Sequence, residues 1–176
     1  LVIEIKFFAK SLGFNQVGIS DIKLEKHEQY LNAWLKNDYH GEMDYMKKHG
    51  SKRSRPEELV GGTKKVISVS IDYLHKDYKG KELLENKNKD FISGYALGRD
   101  YHKVMKKKLQ KLVDFIKIKV SSEARVFVDS APVLEKALAE KSGLGWIGKN
   151  TLLLNKQRGS FFFLGELYTN LNLPVD

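Results

Sequence analysis

The sequence predicts an α/β or α+β fold, a single domain in which a mixed sheet is flanked by helices. Two patterns indicate this class, because stretches with apolar residues at helical spacing alternate with short apolar runs of strand length. No internal repeat and no linker rich in Pro, Gly or Ser divides the 176 residues. With 41% hydrophobic and 30% charged residues, the chain is long enough to bury one core.

Three helices are predicted from apolar periodicity, over residues 2–12, 27–36 and 100–120. Gly13 follows the first helix directly, as is typical of a helix C-terminus. The second is expected to bury Tyr30, Leu31 and Trp34. The third has an apolar stripe formed by Val104, Leu109, Leu112, Val113, Ile116 and Val120. Its other side is crowded by Lys103, Lys106, Lys107, Lys108 and Lys111. These lysines indicate either a solvated face or one that contacts phosphates.

Short apolar runs predict the strands. Residues 16–20 form one of them, and residues 65–73 alternate as expected of a half-buried strand. Residues 151–155 and 160–167 are continuous apolar runs, which suit strands buried on both faces. Residues 76–90 are highly charged and indicate a mobile surface loop. Methionines one helical turn apart beside a tyrosine are more typical of a core than of a cofactor site, and they occur at Met43, Tyr45 and Met46.

The composition limits the function classes. Lys and Arg number 31 against 22 Asp and Glu, which gives a net charge of +9. This charge suits either a polyanionic partner or a solvated lysine-rich surface. The absence of cysteine excludes disulfides, thiolate metal sites and cysteine nucleophiles. No apolar run approaches the ~20 residues of a transmembrane helix, and no secretory signal is visible, so we expect a cytoplasmic location.

Residues 126–151 have the pattern of a ligand site. A short strand over 126–128 ends at an acid, Asp129, and a helix is predicted to start at Pro132 and to stop at Gly143. A glycine-rich loop with Gly145, Gly148 and Lys149 follows. Asp129 has two possible roles at this position. A carboxylate that caps a helix has a lowered pKa, whereas a proton donor needs a raised pKa, which burial under a large apolar ligand provides.

Several long motifs carry a resemblance to a known family. They are YHGEMDYM, RSRPEELVGGTKKVISV, YALGRDYHKVM, VDSAP, LAEKSGLGWIGKNTLLLN and GSFFFLGEL. In this order they resemble the N-terminal cobalamin-binding domain of epoxyqueuosine reductases, which are tRNA-modifying enzymes, and the resemblance covers nearly the whole chain. It implies a fold like the nitroreductase-like cobalamin domain of reductive dehalogenases.

The resemblance implies a reaction and its cofactors. Epoxyqueuosine at the wobble position of tRNA is reduced to queuosine with electrons from cobalamin, while Asp129 aligns with the proposed general acid. The family's two [4Fe-4S] clusters lie in a cysteine-rich region that this chain does not contain. We therefore expect residues 1–176 to form one cobalamin-binding catalytic domain without the iron–sulfur domain. Such a chain should bind cobalamin but turn over poorly, or not at all, without an added reductant.

The resemblance also nominates site residues. Arg53 and Tyr95 are expected to contact cobalamin, and Gly145 and Lys149 to approach its phosphate or amide edge. Two leucines are candidates either for the wall of the corrin site or for ordinary core, namely Leu153 and Leu164. Lys136 occupies a position where many relatives carry Arg, and it is a substrate-binding candidate that keeps the charge but lacks the planar guanidinium.

The remaining expectations concern the roles of the histidines and the binding partners of the protein. His40, His49 and His102 are too scattered for a metal site, and His102 is expected to make a structural hydrogen bond at a helix start. We expect tRNA, through its anticodon loop, as the partner, no membrane contact and a monomer. Two alternatives stay open: a basic tRNA-binding module without redox activity and a flavin-binding nitroreductase-like protein. Replacement of Asp129 by Asn distinguishes the first, and the absorption spectrum of the bound cofactor distinguishes the second.

Overall fold

The chain folds around a four-stranded sheet with helices on both of its faces. The structure, a computed structural model, describes residues 1–74 and 78–176. The strands are β1 (Gln16–Ser20), β2 (Lys65–Asp72), β3 (Ala124–Phe127), β4 (Trp146–Ile147), β5 (Leu153–Leu154) and β6 (Phe162–Thr169). The α-helices are α1 (Val2–Ser11), α2 (Glu25–Lys36), α3 (Pro56–Leu59), α4 (Gly80–Glu85), α5 (Tyr101–Lys119) and α6 (Glu135–Lys141). Short 3₁₀ turns lie at Asp44–Met46, Gly50–Arg53 and Gly94–Ala96.

The order of strands in the main sheet is β1-β2-β6-β3, and β4 pairs with β5 in a separate hairpin. All of these described pairs are antiparallel. Because side chains alternate along a strand, each register pair assigns both residues to the same face. Ile67 and Leu167 point to the face that is packed by α1 and α5. Val66 and Tyr168 point to the opposite face, which is packed by α6.

The α/β class and the helices that flank the sheet are confirmed, although the described strand pairs are antiparallel rather than mixed. The helices predicted over 2–12 and 100–120 are also confirmed, as α1 and α5. Gly13 has a φ of +86°, the left-handed conformation that favours glycine after a helix. Asp100 caps α5, since its side chain accepts a hydrogen bond from the backbone N–H of His102.

Three expectations about burial were wrong. The second helix forms as α2, but it lies at the periphery, so none of its residues is buried and Tyr30 is 61% exposed. The methionine segment forms a surface 3₁₀ turn, which leaves Met43 and Tyr45 exposed. Strand β2 is central in the sheet and is covered on both faces, so residues 66–70 are all buried rather than alternating.

Two segments differ from their predicted structure. The loop expected at 76–90 contains the short helix α4, while residues 76 and 77 lie outside the described part. The helix expected from Pro132 begins only at Glu135, because the preceding residues form turns in which Ala131 N–H donates to the Val128 carbonyl. Within the described residues, no helix combines the length and apolarity needed to cross a membrane.

Candidate active site

A cavity of about 140 Å³ lies where the start of β6 meets the loop after β3. Its apolar walls are Leu152, Leu153, Phe162, Phe163 and Leu164. Its polar lining consists of Tyr101, Asp129, Glu135, Lys136 and Ser160. The continuous apolar sequence at the start of β6 provides the floor, and the N-terminal ends of α5 and α6 provide most of the polar groups. The cavity therefore combines an apolar surface with acidic groups at its edge.

Asp129 is held by two side chains from the first turn of α5. The Tyr101 hydroxyl donates to one carboxylate oxygen of Asp129, and Nε2 of His102 lies 2.8 Å from the other. Nδ1 of His102 lies 3.0 Å from Oδ1 of Asp100, so the imidazole bridges two carboxylates. Asp129 does not cap α6, whose N-cap residue is Leu134. The carboxyl group is 38% exposed and faces the cavity.

Aromatic stacking fixes the Tyr101 ring. On one side it stacks on Phe163, with ring centroids 3.9 Å apart and an interplanar angle of 2°. On the other it stacks on His102, with centroids 4.0 Å apart. Such stacks contribute about 0.5–1.5 kcal/mol each beyond area burial. The pKa of the Tyr101 hydroxyl is raised, first by burial and then by the negative charge of Asp129, so this group remains a hydrogen-bond donor at neutral pH.

Two further acids surround Asp129. Burial raises the pKa of Glu135 to about 7, and the negative charge of Asp129 adds to this effect. Burial also raises the pKa of Glu166 well above its ordinary value, helped by the charges of Glu135 and Asp129. Glu166 is completely buried on β6, and neither carboxylate oxygen has a hydrogen-bond partner in the described structure. These surroundings favour the protonated form of both glutamates.

Comparison with known proteins shows which proteins the chain is similar to. The model of the family described as "Epoxyqueuosine reductase QueG, DUF1730" matches residues 53–130. An epoxyqueuosine reductase from Pseudomonas aeruginosa is 58% identical over all of this chain and 49% of its own length. The Escherichia coli enzyme is 52% identical over all of this chain and 47% of its length. Over its whole length the chain is similar to these epoxyqueuosine reductases. It spans about half the length of these curated relatives.

Solved structures show the same fold. An epoxyqueuosine reductase from Streptococcus thermophilus superimposes with a TM-score of 0.85 at 28% identity, over 100% of this chain and 47% of that one. The catabolic reductive dehalogenase NpRdhA matches with a TM-score of 0.56 at 18% identity, over 98% of this chain and 20% of that one. The second likeness concerns the fold alone.

The structure brings four of the nominated residues together at the cavity. Asp129, Lys136, Leu153 and Leu164 all line it. Lys136 donates from Nζ to the Thr151 carbonyl at 2.7 Å, which ties the first turn of α6 to the loop before β5. Leu153 and Leu164 are buried in a cluster with Ala139, Leu144 and Phe162, so they serve as core and as cavity wall together.

The other nominated residues lie outside this cavity lining. Arg53 is buried, and its guanidinium donates to the carbonyls of Tyr45 and Met46, so it fastens its own surface segment. Tyr95 is 51% exposed and lines a neighbouring surface depression that shares Tyr101 and His102 with the site. Lys149 is exposed. Gly145 is required by packing, because a Cβ there would lie 2.0 Å from the Leu154 carbonyl oxygen.

Four residues of the site were not predicted from the sequence to belong to it. Tyr101 and Glu135 line the cavity. His102 contacts the Asp129 carboxylate, and Glu166 is buried where the charges of Asp129 and Glu135 raise its pKa. His102 does make a hydrogen bond at a helix start, as expected, but it also reaches Asp129. The available signal for Glu166 was a lone acid within the apolar run of β6. The pairing of Asp129 with the first turn of α5 has no sequence signal, because the tertiary fold alone brings the two segments together.

Proposed function

We propose that this chain is the part of an epoxyqueuosine reductase that holds cobalamin and protonates the epoxide oxygen of the modified tRNA base. The proposal rests on the position of Asp129, which Tyr101 and His102 orient at the edge of an apolar cavity. The high identity to curated epoxyqueuosine reductases supports the reaction class. An epoxyqueuosine reductase with an epoxyqueuosine-modified tRNA-Tyr stem loop shares the fold, with a TM-score of 0.84. It supports tRNA, through its anticodon loop, as the substrate.

The residues at the cavity fit a cobalamin. A corrin ring needs an apolar surface, and Leu152, Leu153 and Leu164 supply one beside the Asp129 carboxyl. Leu152 is 46% exposed, and Phe161, which is 49% exposed, extends the apolar surface next to the cavity. The leucines are therefore the first candidates to hold the ring, and Arg53, Tyr95, Gly145 and Lys149 remain further candidates. The [4Fe-4S] clusters of the family need cysteine ligands, and this sequence contains none, so we assign no cluster to it.

The reaction requires two electrons and two protons, because the epoxide oxygen leaves as water when the alkene of queuosine forms. Reduced cobalamin is the group that supplies the electrons when it is bound. An alkoxide is a poor leaving group, so the oxygen must be protonated as its bond to carbon breaks. We assign this proton transfer to the Asp129 carboxyl, which the Tyr101 hydroxyl and the His102 imidazole hold in one orientation.

Glu135 provides a second proton beside Asp129. Its pKa of about 7 means that a substantial fraction of this carboxyl is protonated at neutral pH. Since both carboxyls line the same cavity, Glu135 can restore the proton that Asp129 delivers. The desolvation that raises the pKa of Glu135 comes from its half-buried place at the start of α6. The two acids together match the two protons that the reaction consumes.

We infer that the loop that carries Asp129 corresponds to a catalytic loop that moves in a relative. A Bacillus subtilis epoxyqueuosine reductase has been solved with its aspartate-bearing catalytic loop swung out of the active site, and it shares the fold with a TM-score of 0.83. In this chain the loop between β3 and α6 contains two turn hydrogen bonds of its own, from Ala131 and Val133 N–H groups. We infer that Asp129 is positioned by its contacts to Tyr101 and His102 and that the loop moves when they break.

A spectroscopic titration tests the proposed function. The protein is titrated with cob(II)alamin and, separately, with flavin mononucleotide, and the absorption spectrum of the bound species is recorded. We expect saturable binding of the corrinoid and none of the flavin. Leu153→Asp, which places a charge in the apolar wall, should abolish corrinoid binding, while the exposed Leu84→Asp should leave it unchanged. Folding of both variants is checked by circular dichroism. Absence of corrinoid binding to the folded wild-type protein would contradict the proposal.

A further inference from the structure

A second cleft, which the proposed chemistry does not use, opens beside β3 and has a volume of about 430 Å³. Its basic lining consists of His49, Lys52, Lys106 and Arg125. The rest of its lining includes residues 126–128 and 130–132 and Leu59. No acidic residue is among the described residues that line it. We refer to it as the basic cleft.

The cations of the basic cleft have no ion-pair partner within residues 1–74 and 78–176. The Arg125 guanidinium lies over the Phe127 ring, 5.2 Å from its centroid, which fixes the arginine at the cleft wall. Glu58 lies close enough to interact with Lys52, but its carboxylate is bound by Ser51 and Arg55. Four basic groups converge on one cleft without neutralisation, which is the arrangement expected of an anion site.

The basic cleft adjoins the loop that carries Asp129. Asp129 itself lines the apolar cavity, whereas its neighbours Val128 and Ser130 line the basic cleft. A ligand in the cleft therefore contacts the same short segment that presents the carboxyl to the cavity. Because the loop has few hydrogen bonds of its own, such a ligand would restrict its movement.

We propose that the basic cleft binds phosphodiesters of the RNA substrate and that this binding holds the Asp129 loop against the cavity. The inference rests on the proposed function, which supplies an RNA as the polyanion. Lys106 and Arg125 are the principal phosphate contacts, and they come from α5 and β3. Cobalamin also carries a phosphodiester, but it has a single one, whereas two lysines, an arginine and a histidine around one cleft match successive phosphates of a nucleic acid.

The test compares two double variants with the same change of charge. Lys106→Gln/Arg125→Gln removes two cations of the basic cleft, and Lys107→Gln/Lys111→Gln removes two exposed lysines of α5 outside its lining. The dissociation constant for a tRNA anticodon stem-loop is measured by fluorescence anisotropy at several salt concentrations. We expect the cleft variant to bind roughly tenfold more weakly and the slope of log Kd against log salt to fall by about 1.5. The control variant should change Kd less than threefold, because salt screens the effect of charges that lie far from the bound RNA.

A second arm identifies the source of the phosphodiester. Both variants are titrated with cobalamin and with cobinamide, which lacks the phosphodiester and its nucleotide. Equal corrinoid affinities in wild type and the cleft variant, together with weakened RNA binding, support the inference. Loss of cobalamin binding with unchanged RNA binding would assign the cleft to the cofactor and overturn it. Equal RNA losses in both double variants would also overturn it, and the proposed function would stand. Failure of the wild-type protein to bind RNA would contradict both.

Discussion

The two faces of the main sheet differ in how they are packed. On the face covered by α1 and α5, the sheet side chains are apolar and closely packed, and Gly165 leaves no room for a Cβ, which would lie 2.9 Å from Met105 Cε. On the face covered by α6, buried polar atoms lack hydrogen-bond partners in the described structure. They belong to Ser20, Ser68, Glu166 and Tyr168. Register places these residues on one face, since Ser68 pairs with Glu166 and Val66 with Tyr168.

This difference separates stability from function. Buried polar groups are normally paired, so a group of unpaired ones on a single face needs an explanation. Glu166 points to the same side of the sheet as Leu164, which lines the cavity, and the negative charge of Glu135 helps to raise the pKa of Glu166. The α1 and α5 face therefore carries the main apolar core, and the α6 side carries Glu135 and Glu166, whose pKa values are raised by burial. Four substitutions test this division.

The largest stability effect is expected on the apolar face. Leu109 of α5 is fully buried between the helix and Gly165, and Leu109→Ala should lower the free energy of unfolding by about 2–5 kcal/mol. Chemical denaturation monitored by circular dichroism measures this loss. The exposed Ile118→Ala on the same helix, at 83% exposure, serves as the control and should change stability by less than about 0.5 kcal/mol. Equal effects of the two variants would show that this face is not the stabilising one.

On the α6 face, Glu135 should make stability depend on pH. Its pKa rises from 4.5 to about 7 in the folded protein, so the folded state binds a proton more tightly than the unfolded state. Stability from this group is present below pH 4.5 and is lost as the pH rises to about 7. Glu135→Gln should therefore gain stability relative to wild type between these limits, by an amount on the order of 2 kcal/mol.

Denaturant titrations of wild type and Glu135→Gln at pH 5 and pH 8 measure this difference. Glu166→Gln should change stability in the same direction, because burial also raises its pKa. The exposed Glu25→Gln provides the control and should leave the pH dependence unchanged. A Glu135→Gln variant that tracks wild type at both pH values would mean that this carboxyl is not desolvated.

The smallest effect is expected at Ser68. Its hydroxyl is buried on the α6 face without a partner in the described structure, so Ser68→Ala removes an unpaired polar atom. We expect the free energy of unfolding to stay within about 0.5 kcal/mol of wild type or to rise, as measured by denaturant titration. A loss above about 1 kcal/mol would show that the hydroxyl has a partner, and the contrast between the two faces would weaken.

Much of the fold followed from local sequence patterns. Helix α5 was predictable because its apolar residues recur with helical spacing and Asp100 provides an N-cap. Strand β6 was predictable from its continuous apolar run. The burial of β2 was not, since alternating serines suggest a solvated face and only the position of the strand in the sheet shows that both faces are covered. The exposed Met43 and Tyr45 show that residue type alone does not place a surface turn in the core.

Only the part of the site that lies within one continuous segment of the chain was predictable from the sequence. Asp129 follows a strand and precedes a helix, and this pattern singled it out. Tyr101 and His102 reach it from another part of the chain, so no spacing could reveal the pairing. Gly145 of the loop was predicted to serve a ligand, and the structure adds a second reason for a glycine there, the close approach of the Leu154 carbonyl. A glycine that packing requires and a glycine that a ligand requires look the same in a single sequence.

The most direct test of the account is the effect of Asp129→Asn on each activity separately. The protein is supplied with cobalamin, a chemical reductant and epoxyqueuosine-modified tRNA, and queuosine formation is quantified by mass spectrometry of the nucleosides. We expect a decrease in the rate of 10²-fold or more, since the amide cannot donate a carboxylic proton, with cobalamin and RNA affinities within about threefold of wild type. A rate close to that of wild type would show that Asp129 does not deliver the proton.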